Sequence, residues 1–226
     1  MGLSISVGLG AEVREDGDDE TLAYLEDQFE VINDLLESFG LPAHREPYDL
    51  KADQTLALDM FGYSGLHYLR RVAAHLALGE ELPPPGDEEA ASDPVLAEYY
   101  RLYDEHLAEG KAAEMRFQHL IMHSDVEGFY LPADFPEVIH ADPSLEVTGD
   151  LIGSAPRLLA ECLELAAALE LPADLDPESD EVWEAAESQG DGEVKWQRYG
   201  IESHTCLALI RACRASVGTG AALVFN

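Results

Sequence analysis

The chain has 226 residues, with 46 Asp and Glu against 13 Lys and Arg, a formal charge of −33 at pH 7. Three lysines and ten scattered arginines cannot supply the clustered cations that phosphate neutralisation requires, so nucleic acid and anionic membrane surfaces are excluded as partners. A hydrophobic content of 46% with 26% charged residues is that of a folding chain, not of a disordered acidic tail.

Leu3-Ser4-Ile5-Ser6-Val7 alternates apolar and polar and predicts a first, half-buried strand. The start lacks the basic and apolar regions of a signal peptide, and no run of 18 apolar residues occurs, so a cytoplasmic protein is expected. Leu22, Leu25, Phe29, Ile32, Leu35, Leu36 and Phe39 recur at helical spacing up to Gly40, which predicts an amphipathic helix. Residues 43–53 read as loop, and 55–60 as either a short strand or a helix start. Leu66, Leu69, Ala73 and Leu76 mark a helix that stops at Gly79, with His67, Arg71 and His75 on a face expected to meet solvent or a partner. The Pro-rich stretch 80–93 is expected as a mobile acidic loop. Pro94 suits a first helical position after Ser92 or Asp93, and that helix runs to Leu107 through Tyr99, Tyr100 and Tyr103, a stripe read as core edge. Helix is expected again from Gly110 to Met122, then a strand over 128–132, helices over 151–169, 178–188 and 194–217, and a closing strand at Ala221–Phe225.

These elements predict an α+β fold, mainly helical, in one domain over 1–226, with a small sheet that includes the N- and C-terminal strands. Cys162, Cys206 and Cys213 are odd in number and embedded in Ala/Leu-rich patterns, so they read as buried thiols in a reducing compartment.

The acidity is uneven. Residues 11–38 hold eleven acids and one base, 80–93 hold six and none, and 170–193 hold ten and none. These three segments carry 27 of the 46 acids, a distribution that fits solvated faces better than a catalytic pocket.

Two turns carry the candidate chemistry. Around Ser64, Gly62 and Gly65 approach a nucleophile elbow, but Leu66 stands where its second glycine is required. Ser64 reads instead as the cap of a helix starting near Leu66, or as part of a polar-ligand site with Arg70 and Arg71. In the second turn, a helix through residue 122 would place His119 and His123 one turn apart, where Asp125 or Glu127 could complete a divalent-metal site. Leu120 follows the first histidine, which excludes the zinc-protease motif. The competing reading makes Asp125-Val126-Glu127-Gly128 a turn with Ser124 beside it, in which Ser124, Asp125 and Glu127 are ligand acceptors.

Met1-Gly2-Leu3-Ser4-Ile5, Tyr63-Ser64-Gly65 with Arg70, Ser124-Asp125-Val126-Glu127-Gly128 and Gly220-Ala221-Ala222-Leu223-Val224-Phe225 together resemble a loose group of uncharacterised bacterial and phage-borne proteins that share these phrases in this order. The resemblance implies one domain with the two turns as shared surface, and it brings no activity. Relatives often carry Cys where this chain has Val126, so thiol chemistry at that turn is not implied.

The expected function is that of a non-enzymatic binding module for a basic protein, antagonist- or immunity-like, with no cofactor. The rival expectation is a hydrolase with a metal or polar site built from His119, His123, Asp125 and Glu127 near Ser64 and Arg70. A third is adaptation to high salt, where abundant acid and scarce lysine keep a surface hydrated.

Overall fold

The computed structural model describes residues 3–86 and 90–225, apart from the side chains of Tyr63 and Ser64. In chain order the elements are β1 (Ser4–Val7), α1 (Leu9–Asp16), α2 (Asp19–Ser38), β2 (Leu56–Asp59), α3 (Gly62–Leu78), α4 (Pro94–Ala108), α5 (Gln118–Ile121), β3 (Gly128–Leu131), β4 (Ile139–His140), β5 (Leu151–Ser154), α6 (Ala155–Leu169), α7 (Asp180–Glu187), α8 (Lys195–Arg198), α9 (Gly200–Thr219) and β6 (Leu223–Phe225), with short 3-10 turns at Ala90–Ser92, Ala112–Glu114 and Pro143–Leu145. This is the expected α+β class, mainly helical, and the chain divides into two compact units.

One unit comprises residues 4–58, 123–157 and 211–226. Its sheet has the order β2-β1-β6-β3-β5-β4. The terminal strands pair as expected: β1 runs antiparallel to β6 with Ile5 opposite Phe225 and Val7 opposite Leu223. β6 also pairs antiparallel with β3, and β3 pairs parallel with β5. Because side chains alternate across a sheet, Phe129, Val224, Ile152 and Ile139 share one face through direct cross-strand registration. The apolar stripe of α2, Leu25, Phe29, Ile32 and Leu36, packs on that face in one core cluster with Leu131 and Phe135. The opposite face carries Tyr130, whose ring lies over Gly153, its neighbour on β5.

The other unit comprises residues 1–3, 59–122 and 158–210, and is helical. Asp93 caps α4 by accepting from the amides of Val95 and Leu96 ahead of Pro94, as the sequence expects. Tyr99 and Tyr103 are buried, in keeping with the core-edge reading. Cys162 and Cys206 are buried here and Cys213 in the first unit, none of them in a disulfide.

Two local expectations are corrected, and one element is added. Residues 151–154 form β5, and helix starts only at Ala155, because pairing with β3 captures that backbone before it can coil. The helix expected over 110–122 is broken: Phe117 takes a left-handed φ of 62°, and only Gln118–Ile121 are α-helical. Tertiary partners account for the break. Tyr99 donates to the Arg116 carbonyl at 2.6 Å, and the Glu161 carboxylate accepts from the amides of His119 and Leu120. Finally, α1 fills residues 9–16, for which the sequence suggested no element, and it stops at Gly17 with φ 73°.

Candidate interaction surface

Helix α2 concentrates charge by simple geometry. Its twenty residues include Asp19, Glu20, Glu26, Asp27, Glu30, Asp34 and Glu37, all exposed, and no Lys or Arg. At about 100° per residue these fall in an arc of roughly 120° opposite the buried stripe, and from Asp19 to Glu37 they span about 27 Å of axis. The mean interval between successive charges is about 4.5 Å, of the same order as the ~3.4 Å spacing along one strand of duplex DNA. The uncharged polar side chains of α2 are turned to internal partners. Thr21 bonds Asp18, Gln28 bonds the Glu146 carbonyl and the Thr148 amide, Asn33 bonds His44, and Ser38 bonds the Leu35 carbonyl. Carboxylates therefore dominate what this helix offers to solvent, with the half-exposed Tyr24 beside them.

In the helical unit the ten acids of 170–193 are likewise all exposed, four of them on α7. The described part of the other acidic stretch there, 80–86 and 90–93, is held by its backbone. His75 Nδ1 bonds the Glu81 carbonyl at 2.5 Å, Tyr199 donates to Pro83 O at 2.8 Å and Arg71 to Pro84 O at 2.7 Å.

Several of the scarce cations are paired with carboxylates of the same chain. Arg101 pairs with Glu98 and Glu105, Lys111 with Glu109, Arg116 with Glu164 and Arg157 with Asp134. Such exposed pairs contribute little stability, but they remove positive charge from the surface field.

The sequence-predicted residues take these places. The side chain of Ser64 lies outside the described residues. Its backbone is inside α3, which begins at Gly62 after Phe61, so the cap expected near Leu66 is corrected: α3 starts a full turn earlier. Arg70 and Arg71 are 3% and 1% exposed, and the solvent-facing position expected for Arg71 is corrected too. Arg70 donates from Nε to the Leu120 carbonyl at 2.9 Å; Arg71 reaches Pro84 and lies over the Tyr68 ring. Ser124 Oγ accepts from the amides of Val126 and Glu127, closing the turn, while Asp125 is partly exposed and Glu127 exposed.

His119 and His123 do not share a helix face, since α5 ends at Ile121. His119 is fully buried in the helical unit. His123 belongs to the sheet unit, stacked on Tyr130 at 3.9 Å. Both ring nitrogens of His123 face carbonyl oxygens, of Ser124 at 3.1 Å and Phe129 at 3.0 Å. Among the described residues no group of three or more His, Cys, Asp or Glu is placed to hold a metal ion, and no helix is long and apolar enough to cross a membrane.

Sequence reading missed the buried polar groups of α9. Glu202 is fully buried and burial pushes its carboxyl up to about 7, while burial pushes the His204 imidazole down to about 4. His204 packs between Trp183 and Phe61. Polar residues inside an Ala/Leu-rich helix were the available signal, but the pattern does not say which of them face the core.

No curated protein and no solved structure matches the chain. A family model described as "Putative DNA-mimic protein" matches residues 1–225. With that match spanning essentially the whole sequence, and an acidic helix on the surface whose charge spacing is of the same order as a phosphate strand's, the chain belongs to this DNA-mimic family.

Proposed function

We propose that the protein is an acidic binding module that occupies the DNA-binding surface of a basic protein. The observation that carries this reading is α2: seven carboxylates and no cation on one exposed arc, at an axial spacing of the same order as that of a phosphate strand. A cationic groove built to track a DNA strand meets there a similar density of charge on a scaffold that is already ordered, so little entropy is lost on docking. The family to which the chain belongs supports the same reading. The acids of 170–193 provide a second surface of the same sign on the helical unit, which favours rapid, salt-sensitive association with basic partners.

Displacement tests it directly. Proteins of a cell extract are loaded on DNA-cellulose at low salt and eluted with the purified chain. A DNA mimic releases a discrete basic protein, and the Asp27→Asn/Glu30→Gln/Asp34→Asn variant releases much less. If nothing is displaced, or if the neutralised variant displaces equally well, the reading is wrong.

A further inference from the structure

Glu202 lies in the first turn of α9 with no exposed surface. Its Oε2 accepts from Gln189 Nε2 at 3.3 Å, and the backbone amides of Glu202 itself and of Gly86 lie where they favour its ionised form. Gln189 follows α7 within the acidic stretch 170–193, and Gly86 ends the described part of the acidic stretch 80–86. One buried carboxyl therefore anchors both. The packing is close: Gly86 has a left-handed φ of 73°, and a Cβ there would collide with the Gln189 side chain.

The hydrogen-bond accounting does not close for a carboxylate. Glu202 Oε1 and Gln189 Oε1 are both buried acceptors with no donor among the described residues. Leaving either unmet is costly, and the two belong to groups already joined through Oε2 and Nε2. A single proton on Glu202 Oε1 would supply the missing donor and would let acid and amide form a reciprocal two-bond pair. Among the described residues, the charged or titratable groups facing the carboxyl are the Arg71 guanidinium of α3 and the Tyr199 phenol ahead of α9. His204 faces Trp183 and Phe61 instead. Arg71 and the amide donors favour ionisation, but the loss of water around the carboxyl outweighs them and holds it up to about 7.

We propose that Glu202 and Gln189 form a proton-operated latch that pins residues 80–86 and 187–193 to α9, closed while the carboxyl holds its proton and released when it ionises. On ionisation Oε1 carries negative charge opposite another acceptor, and water is the donor that can relieve it. Water reaches that atom when the covering segments lift. The latch is independent of what the acidic surfaces bind.

Deuterium exchange read by mass spectrometry on peptides covering 80–86 and 187–193, corrected for intrinsic exchange, tests the latch between pH 5.5 and 8.5. The wild-type protein loses protection about tenfold per pH unit up to about pH 7, where the carboxyl of the closed form itself ionises, and the loss levels off above that. Glu202→Gln keeps the reciprocal pair as two amides with no titrating proton, and its protection stays flat; Gln189→Ala is poorly protected throughout. Constant wild-type protection, or loss in Glu202→Gln parallel to wild type, overturns the proposal. Infrared difference spectra of the wild-type protein provide a check that needs no variant. The carbonyl stretch of a protonated carboxylic acid is present at pH 6 and fades by pH 8, and its absence at pH 6 equally overturns the latch.

Discussion

Glu202 and His204 lie two residues apart on α9 and titrate in opposite senses, which gives the stability of the helical unit a distinctive dependence on pH. Glu202 rises from 4.5 to about 7 and His204 falls from 6.5 to about 4, in both cases through burial. For Glu202, the native state keeps a proton that the unfolded chain releases. Its contribution is complete below pH 4.5 and is lost as pH rises to about 7. For His204 the unfolded chain takes up a proton that the native state refuses, so that contribution is complete above pH 6.5 and is lost as pH falls towards 4. Each displacement corresponds to about 3 kcal/mol at ~1.36 kcal/mol per unit. Between pH 4.5 and 6.5 the two slopes cancel, because folding moves a proton from imidazole to carboxyl without net uptake. Glu202→Gln removes one side of that balance. Relative to wild type it gains about 3 kcal/mol as pH rises from 4.5 to 7.5, and the difference between the two proteins cancels every other titrating group. His204→Phe, which keeps a ring against Trp183 and Phe61, gains in the opposite direction as pH falls from 6.5 to 4. Urea unfolding read by tryptophan fluorescence suits the measurement, since both tryptophans, Trp183 and Trp196, belong to the helical unit. A difference between Glu202→Gln and wild type that stays constant over pH 4.5–7.5 refutes the reasoning.

Other outcomes follow from single contacts. Gly153→Ala puts a methyl into the Tyr130 ring and lowers sheet-unit stability by about 1–3 kcal/mol in denaturant unfolding; an unchanged midpoint shows that the ring moves aside freely. Asp93→Ala removes the α4 cap and the His75 partner, costing about 1 kcal/mol, and a loss below a few tenths would deny the cap its role. Arg101→Ala, by contrast, changes stability by less than about 0.5 kcal/mol, because its carboxylate partners are half exposed; a larger loss would reveal packing by its stem. Asp27→Lys in α2 flattens the salt dependence of the DNA-cellulose displacement while leaving the circular dichroism unchanged. A variant that displaces with wild-type salt dependence places the binding face elsewhere.

The acidic arc of α2 was readable from residues alone, since a period of 3.6 sends Leu25, Phe29, Ile32 and Leu36 one way and Asp27, Glu30 and Asp34 the other. The candidate turns were read less well. Ser124 closes its own turn as local spacing suggests, but the metal reading leaned on a helix through His123, and that helix is interrupted by contacts from Tyr99 and Glu161, each more than a dozen positions away. Arg71 was expected to meet solvent or a partner because charge alone argues for exposure, and Arg70 to serve a polar-ligand site beside Ser64. Their burial depends on carbonyls of residues 120 and 84, and no local pattern reports those.

Sequence by itself determined the sign and location of the charge, the α+β class, the terminal strands and the glycine stops at Gly40 and Gly79, because each depends on residues near in the chain. Tertiary structure decided which polar groups went under the surface. Leu151–Ser154 became strand by pairing with β3, the arginines were drawn to distant carbonyls, and Glu202 met Gln189 across thirteen residues. The physical reason is that a buried polar group is tolerated only with a partner, and that partner is supplied by the fold, not by the neighbouring sequence.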